Sequence, residues 1–313
     1  MTARDWLTRA SRASPWREAR TVVAGIGVSG HAAAEALLRV GAGVVVVDER
    51  VGDAQRDRAR VLRARGAEVR LGPGAARTLP EPVDLVVTSP GWRPEAPLLR
   101  QATTSGVPVW GDVELAWRLR DLARPAPWLC VTGTNGKTTT VTMLASMLRA
   151  AGLRTAAVGN VGRPVLETVL DPRPYDVLAV ELSSFQLHWT RSLVPEAAVV
   201  LNVAEDHVDW HGSMQAYVAA KGRVYPRTER ACVFNAADPV TARLARAADV
   251  AEGCRMVGFT LDVPAAGMLG VDDGVLADRA FVAAGETCAA ELARVEDVQP
   301  AAPHNVANAL AAA

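Results

Sequence analysis

The sequence predicts an α/β protein of two domains. Three observations predict it. Short apolar runs alternate with helical patterns along the 313-residue chain, two glycine-rich loops each sit between such a run and a helix, and paired prolines near Arg124 separate the halves. Short buried strands alternating with helices indicate a parallel sheet covered on both faces. The length suits two domains, and the prolines divide them into residues 1–124 and 125–313.

In the first half, TVVAGIGVSG is a strand entering a glycine turn and HAAAEALLRVGA is a helix ending at Gly41. GVVVVDER is a buried strand ending in an acid, VDLVVTSPG a strand and turn, and GVPVWGDVELAWRL a strand and helix. The segment Arg124–Pro127 disfavours helix and suits a linker. In the second half, WLCVTGTNGKTTTVTMLASMLRAAG reads as strand, loop and amphipathic helix. YDVLAVELSS is a strand closing on Glu181, and AAVVLNVAEDHVDWHG is a strand running into a polar loop. QAYVAAKGRVY is helical and RACVFNAAD a strand; from about Cys254 to Gln299 come short β-like runs with Gly and Asp turns. The chain stops inside the helix-like PHNVANALAAA with no cap or turn after it, which reads as a cut helix and a lost C-terminal domain.

Half of the residues are hydrophobic, 22% are charged and the formal net charge is zero. That balance suits a soluble globular protein. It gives no electrostatic reason to bind nucleic acid or a membrane surface. No apolar run approaches the length of a bilayer span. The N-terminal stretch MTARDWLTRASRASPWREAR has arginines but no apolar core of a signal peptide. Cys130, Cys232, Cys254 and Cys288 form no CxxC pair or metal-ligand spacing, so they read as free thiols in a reducing compartment. The expectation is a cytoplasmic monomer.

GIGVSG at Gly25–Gly30 fits G-x-G-x-x-G after a strand and before a helix, and Asp48 ends the next strand about 20 residues on. This is the Rossmann-like dinucleotide fingerprint. Taken alone it predicts NAD, with Asp48 on a ribose. Its physics is an anion at a helix N-terminus and a hydroxyl or amide on an acid, so another diphosphate nucleotide fits too. The second loop, VTGTNGKTTT, is a shortened P-loop, G-x-x-G-K-T, with Val131 where the full spacing has glycine. Gly133, Gly136, Lys137 and Thr138 fit the roles of phosphate cradle, cation and Mg²⁺-directed hydroxyl, as in an ATPase-type α/β domain. Glu181, at a strand end, suits Mg²⁺ directly or through water, although acids at strand ends are common.

EDHVDWH offers Asp206, His207, Asp209 and His211. A zinc reading lacks a matching cysteine or histidine set elsewhere. A polar loop at the carboxyl end of a parallel strand is where α/β ligands bind, which makes His207 a site candidate. Asp209 and His211 read as solvated loop residues. Lys137 and Lys221 are the only lysines among 34 basic residues. Against chance survival, they stand where arginine cannot serve.

Nine stretches occur in one characteristic order: GIGVSG, TSPG at Thr88–Gly91, GDVEL at Gly111–Leu115, GTNGKTT at Gly133–Thr139, GNVG at Gly159–Gly162, ELSSFQL at Glu181–Leu187, LNVAEDHVD at Leu201–Asp209, AAK ending at Lys221, and HNVANA at His304–Ala309. Over nearly its whole length the chain resembles the Mur ligases of peptidoglycan synthesis. ELSSFQL, GDVEL and the Rossmann-like first domain resemble the D-glutamate-adding member. The resemblance implies an ATP-dependent amide ligase serving the cell wall, and through it cell shape and division. ATP would phosphorylate the terminal carboxylate of UDP-N-acetylmuramoyl-L-alanine, and the D-glutamate amine would attack that acyl phosphate.

The resemblance also implies site residues. Gly133, Thr134, Asn135, Gly136, Lys137, Thr138 and Thr139 would bind ATP, with Asn305 and Asn308 near the adenine. Val28, Ser29, Asp48 and Gly91 would line the UDP pocket, and Asn160 and Ser183 would contact the muramoyl-alanine part. Thr138 and Glu181 would place one Mg²⁺, and His207 and Lys221 a second; Lys137, His207 and Lys221 would be catalytic. The lysine at the Lys221 position is carbamylated in this family, and only an uncharged amine takes up CO₂, which a guanidinium cannot offer. The family's third domain, which binds the amino acid, should follow Ala313. Without it the chain is expected to bind the UDP-sugar peptide, to bind ATP weakly, and not to ligate. Three other readings stay open: an NAD oxidoreductase resting on the first loop, another Mur-type ligase or a folylpolyglutamate synthase, and a non-catalytic nucleotide-binding module.

Overall fold

The computed structural model describes residues 6–282 and 289–313, so Cys288 lies outside the described residues. The chain forms two compact units. The first runs to Pro125 and includes Arg163–Pro174 and Trp189–Ser192; the second comprises Ala126–Gly162, Tyr175–His188 and Leu193–Ala313.

The first unit is a five-stranded parallel sheet: β1 (Arg20–Ala24), β2 (Gly43–Asp48), β3 (Glu68–Leu71), β4 (Leu85–Thr88) and β5 (Val109–Gly111). Their order is β3-β2-β1-β4-β5. The order reverses at β1, with Ala24 paired to Val47 on one side and Thr88 on the other. Ligands of open α/β sheets bind at such a switch point, beyond the carboxyl ends of the strands. Valine-rich strands suit burial on both faces, and Val22, Ala24, Val47, Val86, Leu98 and Leu99 share one core cluster. Helix Val28–Val40 ends where the sequence predicts, on Gly41 in the left-handed conformation.

The second unit has β6 (Trp128–Thr132), β7 (Thr155–Gly159), β8 (Val177–Glu181), β9 (Ala197–Val200), β10 (Ala231–Asn235), β11 (Arg255–Phe259), β12 (Met268–Asp272), β13 (Val275–Asp278) and β14 (Ala290–Arg294). The order is β14-β13-β12-β11-β10-β9-β6-β8-β7. Pairing is parallel from β7 to β12 and antiparallel through β13 and β14. The β-like runs predicted after Cys254 are this extension. Helices Lys137–Ala150 and Pro303–Ala312 send Val141, Ala145, Val306 and Leu310 into the core shared with Val131, Val199 and Phe259. The α/β reading therefore holds in both units. Among the described residues no helix is long and apolar enough to cross a membrane.

One local expectation fails. The segment after β9 is not all loop, because Val208–His211 closes a helical turn. Trp210 is buried, and its ring lies against Phe185 and His188, which pins the turn.

Candidate functional site

In the first unit the three glycines of GIGVSG divide the work. A Cβ on Gly30 would sit 1.8 Å from the Gly25 carbonyl oxygen, so only glycine lets the helix pack this close to the turn. A Cβ on Gly27 would meet nothing within 4 Å, leaving open space beside the backbone. Helix Val28–Val40 starts at Gly27 without a side-chain cap, and N–H groups of an uncapped first turn favour an anion. Val28 is exposed and Ser29 half-buried at that start, and Gly91 is exposed on the loop after β4. Within that loop Ser89 donates to the Gly25 carbonyl at 3.3 Å.

Asp48 has a second task that the sequence does not reveal. Its carboxylate accepts the N–H of Ile26 inside the glycine turn at 2.9 Å and the N–H of Arg50 at 2.9 Å, and the Arg50 guanidinium lies 3.3 Å away. Burial alone would raise its pKa. The hydrogen bonds from Ile26 and Arg50 outweigh that and hold it below the usual carboxylate range. Glu114, from the GDVEL stretch, is likewise structural. Fully buried, it accepts from the N–H groups of Arg191 and Ser192, the Ser192 hydroxyl and the Arg118 guanidinium.

In the second unit the loop after β6 gathers the predicted residues. Lys137 Nζ donates to the carbonyls of Gly133 at 3.0 Å and Thr134 at 2.9 Å. Lys221 Nζ donates to the same Gly133 carbonyl at 2.7 Å. Both of the chain's lysines thus meet on one oxygen. Lys221 is buried; burial and then the charge of Lys137 push its pKa down to about 7, against a weaker opposing pull from Asp206. Burial also lowers Lys137, with Glu181 and Asp206 acting in the other direction. The first-turn N–H groups of helix Lys137–Ala150 begin at Gly136, which has no side-chain cap and a φ of +83°. Thr138 Oγ1 donates to Glu181 Oε2 and Asn160 Nδ2 to Glu181 Oε1, both at 2.8 Å.

The remaining candidates are more scattered. Ser183 caps helix Ser184–His188, in a reciprocal pairing with Gln186. Asn308 packs against Gly136, where an added Cβ would lie 2.4 Å from its Oδ1. Asn305 donates to the Pro300 carbonyl. His207 is exposed, in the left-handed conformation, 3.3 Å from Asp206. His211 is not the solvated residue the sequence suggests. Its Nε2 lies 3.0 Å from Ser184 Oγ, its ring sits among Phe185, Trp210 and Tyr217, and burial followed by the charge of Lys221 pushes its pKa down to about 4.

Two residues that sequence reasoning passed over hold the loop. Asn202 Oδ1 accepts the N–H groups of Thr134 and Asn135, and Asn202 Nδ2 donates to the Asn135 carbonyl. Tyr217 joins its hydroxyl to Thr134 Oγ1 at 3.0 Å and lays its ring 4.6 Å from Lys221 Nζ. The only available signal was position: Asn202 just beyond a strand end, and Tyr217 four places before a rare lysine, one helical turn away.

Among the described residues no three His, Cys, Asp or Glu side chains converge as a metal cluster. One buried carboxylate and one hydroxyl beside a phosphate-type loop do not make a zinc site. They do suit Mg²⁺, which takes most of its ligands from phosphates and water.

Residues 131–313 match the Mur ligase middle domain, and residues 19–111 match the MurD-like N-terminal domain of Mur ligases. The chain is 61% identical over 300 residues to a UDP-N-acetylmuramoylalanine–D-glutamate ligase of Streptomyces avermitilis, covering 95% of this chain and 63% of that protein. It is 57% identical over 301 residues to the protein of that name from Thermobifida fusca, again covering 95% and 63%. It thus spans less than two thirds of the length of these relatives. Its fold is similar to that of a solved structure, the UDP-N-acetylmuramate:L-alanyl-gamma-D-glutamyl-meso-diaminopimelate ligase of Neisseria meningitides, with a TM-score of 0.58 and 20% identity over 94% of this chain and 91% of that one. With the middle-domain match covering more than half of its length, the chain belongs to the Mur ligase family.

Proposed function

We propose that this chain carries the nucleotide-handling parts of an ATP-dependent ligase that adds D-glutamate to UDP-N-acetylmuramoyl-L-alanine in the cytoplasm. The observation that carries the reading is the meeting of Lys137 and Lys221 on the Gly133 carbonyl, inside a glycine loop and beside the Thr138–Glu181 pair. The names of the relatives at 57% and 61% identity support the choice of substrates.

The roles follow from charge. The loop amides of Gly133–Thr139 and the Lys137 ammonium would surround the ATP phosphates and stabilise the charge that develops as the terminal phosphoryl moves to the substrate carboxylate. Thr138 and Glu181, with His207 and Lys221 at a second position, would hold Mg²⁺, which neutralises phosphate charge when bound. Lys221, with a pKa near 7, has the uncharged amine that carbamylation requires. The ammonium would first give up a proton; the neutral Nζ would then bond to the carbon of CO₂ and release a second proton, leaving a carbamate anion where a buried cation stood. In the first unit, the uncapped start of helix Val28–Val40 would take the UDP diphosphate, with Val28, Ser29 and Gly91 around it and Asp48 fixing the turn. Asn160 and Ser183 would face the muramoyl-alanine part, and Asn305 and Asn308 the adenine. D-Glutamate would supply the attacking amine.

The test is calorimetric titration of the chain with UDP-N-acetylmuramoyl-L-alanine, NADH and ATP–Mg²⁺. Binding rather than turnover is the readout, because the relatives extend well beyond the part matched here. Saturable binding of the UDP compound and of ATP is expected. Lys137→Ala should weaken ATP about 30-fold, the loss of a charge-assisted contact worth about 2 kcal/mol, and leave the UDP compound unaffected. Binding of NADH in place of the UDP compound would overturn the reading.

A further inference from the structure

We propose that His211 is a positioning residue: it clasps the segment after β8 to the segment after β9 and so fixes Glu181 relative to His207 and Lys221. The inference rests on the reading above.

Two segments supply the proposed metal-directed groups that stand beside the phosphate loop. The one leaving β8 carries Glu181, then Ser183, Ser184 and Phe185. The one leaving β9 carries Asn202 and His207, then His211, and leads into helix Met214–Gly222 with Tyr217 and Lys221. His211 touches both. Its Nε2 is 3.0 Å from the hydroxyl of Ser184, which is only 3% exposed. Its ring stacks on Phe185 at 5.8 Å with an interplanar angle of 16° and meets Tyr217 edge-on at 5.4 Å. Phe185 also packs on His207 and Trp210, each at 4.7 Å. Tyr217 passes the arrangement on, to Thr134 of the phosphate loop and to the face presented to Lys221. Burial keeps the imidazole neutral across the physiological range, so it pairs with a neutral hydroxyl without a counter-ion. A ring held by one hydrogen bond and by ring contacts with Phe185, His188, Trp210 and Tyr217 has little freedom, and positioning groups require such restraint.

The experiment measures ATP affinity of the wild-type chain, Ser184→Ala, His211→Phe and the double variant, each with Mg²⁺ and with EDTA, and follows their thermal melting. His211→Phe keeps the ring packing and loses the hydrogen bond; Ser184→Ala removes the bond from the other side with minimal disturbance to the fold. If the clasp sets the metal-facing geometry, each single variant loses about fivefold in affinity with Mg²⁺. The double variant loses no more than either single one, and all four bind alike in EDTA. His211→Gln, whose amide can reach Ser184, recovers part of the loss. Unchanged affinity with Mg²⁺, or equal losses with and without it, would overturn the clasp and leave His211 a packing residue. If the wild-type chain shows no Mg²⁺-dependent ATP binding, the ligase reading fails and takes this inference with it.

Discussion

The loop at Gly25 and the loop at Gly133 share one plan, a buried parallel strand, a glycine turn and an uncapped helix start. They differ in where they put charge. The first contains no lysine, and its acid, Asp48, is taken up by the loop's own backbone and by Arg50. The second directs two lysines at one carbonyl and sets a hydroxyl and a buried carboxylate beside them. A site that only holds a diphosphate can rely on fixed backbone dipoles, whereas one in which a phosphoryl group changes partners needs side-chain charge held in place and a metal-directed acid. On the proposed reading, the same glycine signature would serve binding in one unit and chemistry in the other.

The sharpest way to break this comparison is at the glycines. Gly30→Ala forces a Cβ onto a backbone oxygen 1.8 Å away, and backbone cannot step aside. We expect a loss of about 3 kcal/mol, read as a lower midpoint in urea or thermal unfolding of the first unit. Gly27→Ala meets nothing within 4 Å. It should leave stability within about 0.5 kcal/mol and lower affinity for the UDP compound, because the methyl group enters the space kept for the ligand. Equal destabilisation by both would show that the first loop is packing and not a pocket.

Gly136→Ala in the second loop should cost less, about 1–2 kcal/mol. Part of the cost is the φ of +83°, and the rest is contact with Asn308 Oδ1, a side-chain atom that can rotate away. Adding Asn308→Ser should recover the contact part but not the φ part. Full recovery in a chemical-denaturation series would mean that the loop's backbone tolerates other conformations and that the cradle is less rigid than its counterpart in the first unit.

Both loops were legible in the sequence because each is a local pattern: a strand, glycines at fixed spacing, a helix. So were β1, β2, β6 and β8, whose unbroken apolar runs need no tertiary information. Helix Asp53–Ala64 is different. Its arginine-rich composition hides a stripe of only two fully buried residues, Ala59 and Leu62. In the candidate site, sequence reasoning reached Lys137, Glu181 and Lys221, which the fold gathers around one loop, because the chemistry they would serve restricts the residue type. The site was not legible where an ordinary residue acquires its role through contacts made only on folding. His211 looked like a loop residue until Ser184 and Phe185, distant in sequence, were folded against it. Asn202 looked like any strand-end amide, and Asp48 like a ribose ligand, until their hydrogen bonds were counted.

Asp48→Asn is the mildest change and separates two accounts of the first loop. The amide oxygen of asparagine can still accept the Ile26 N–H. What is lost is the charge facing Arg50, whose side chain is 68% exposed, and the acceptor of the Arg50 N–H, which uses the other carboxylate oxygen; together they are worth about 1 kcal/mol. The folded-state pKa of Asp48 lies below its unfolded value. Its contribution is therefore present above the unfolded pKa and disappears as pH falls through the folded one. Wild type and variant should differ slightly at pH 7 and converge in acid, below about pH 4, when unfolding is followed across pH. Affinity for the UDP compound should change less than threefold if Asp48 only braces the turn. A tenfold loss of affinity with unchanged stability would mean that the carboxylate leaves Arg50 to meet the ligand, and that the first loop, like the second, uses a side-chain charge to recognise its nucleotide.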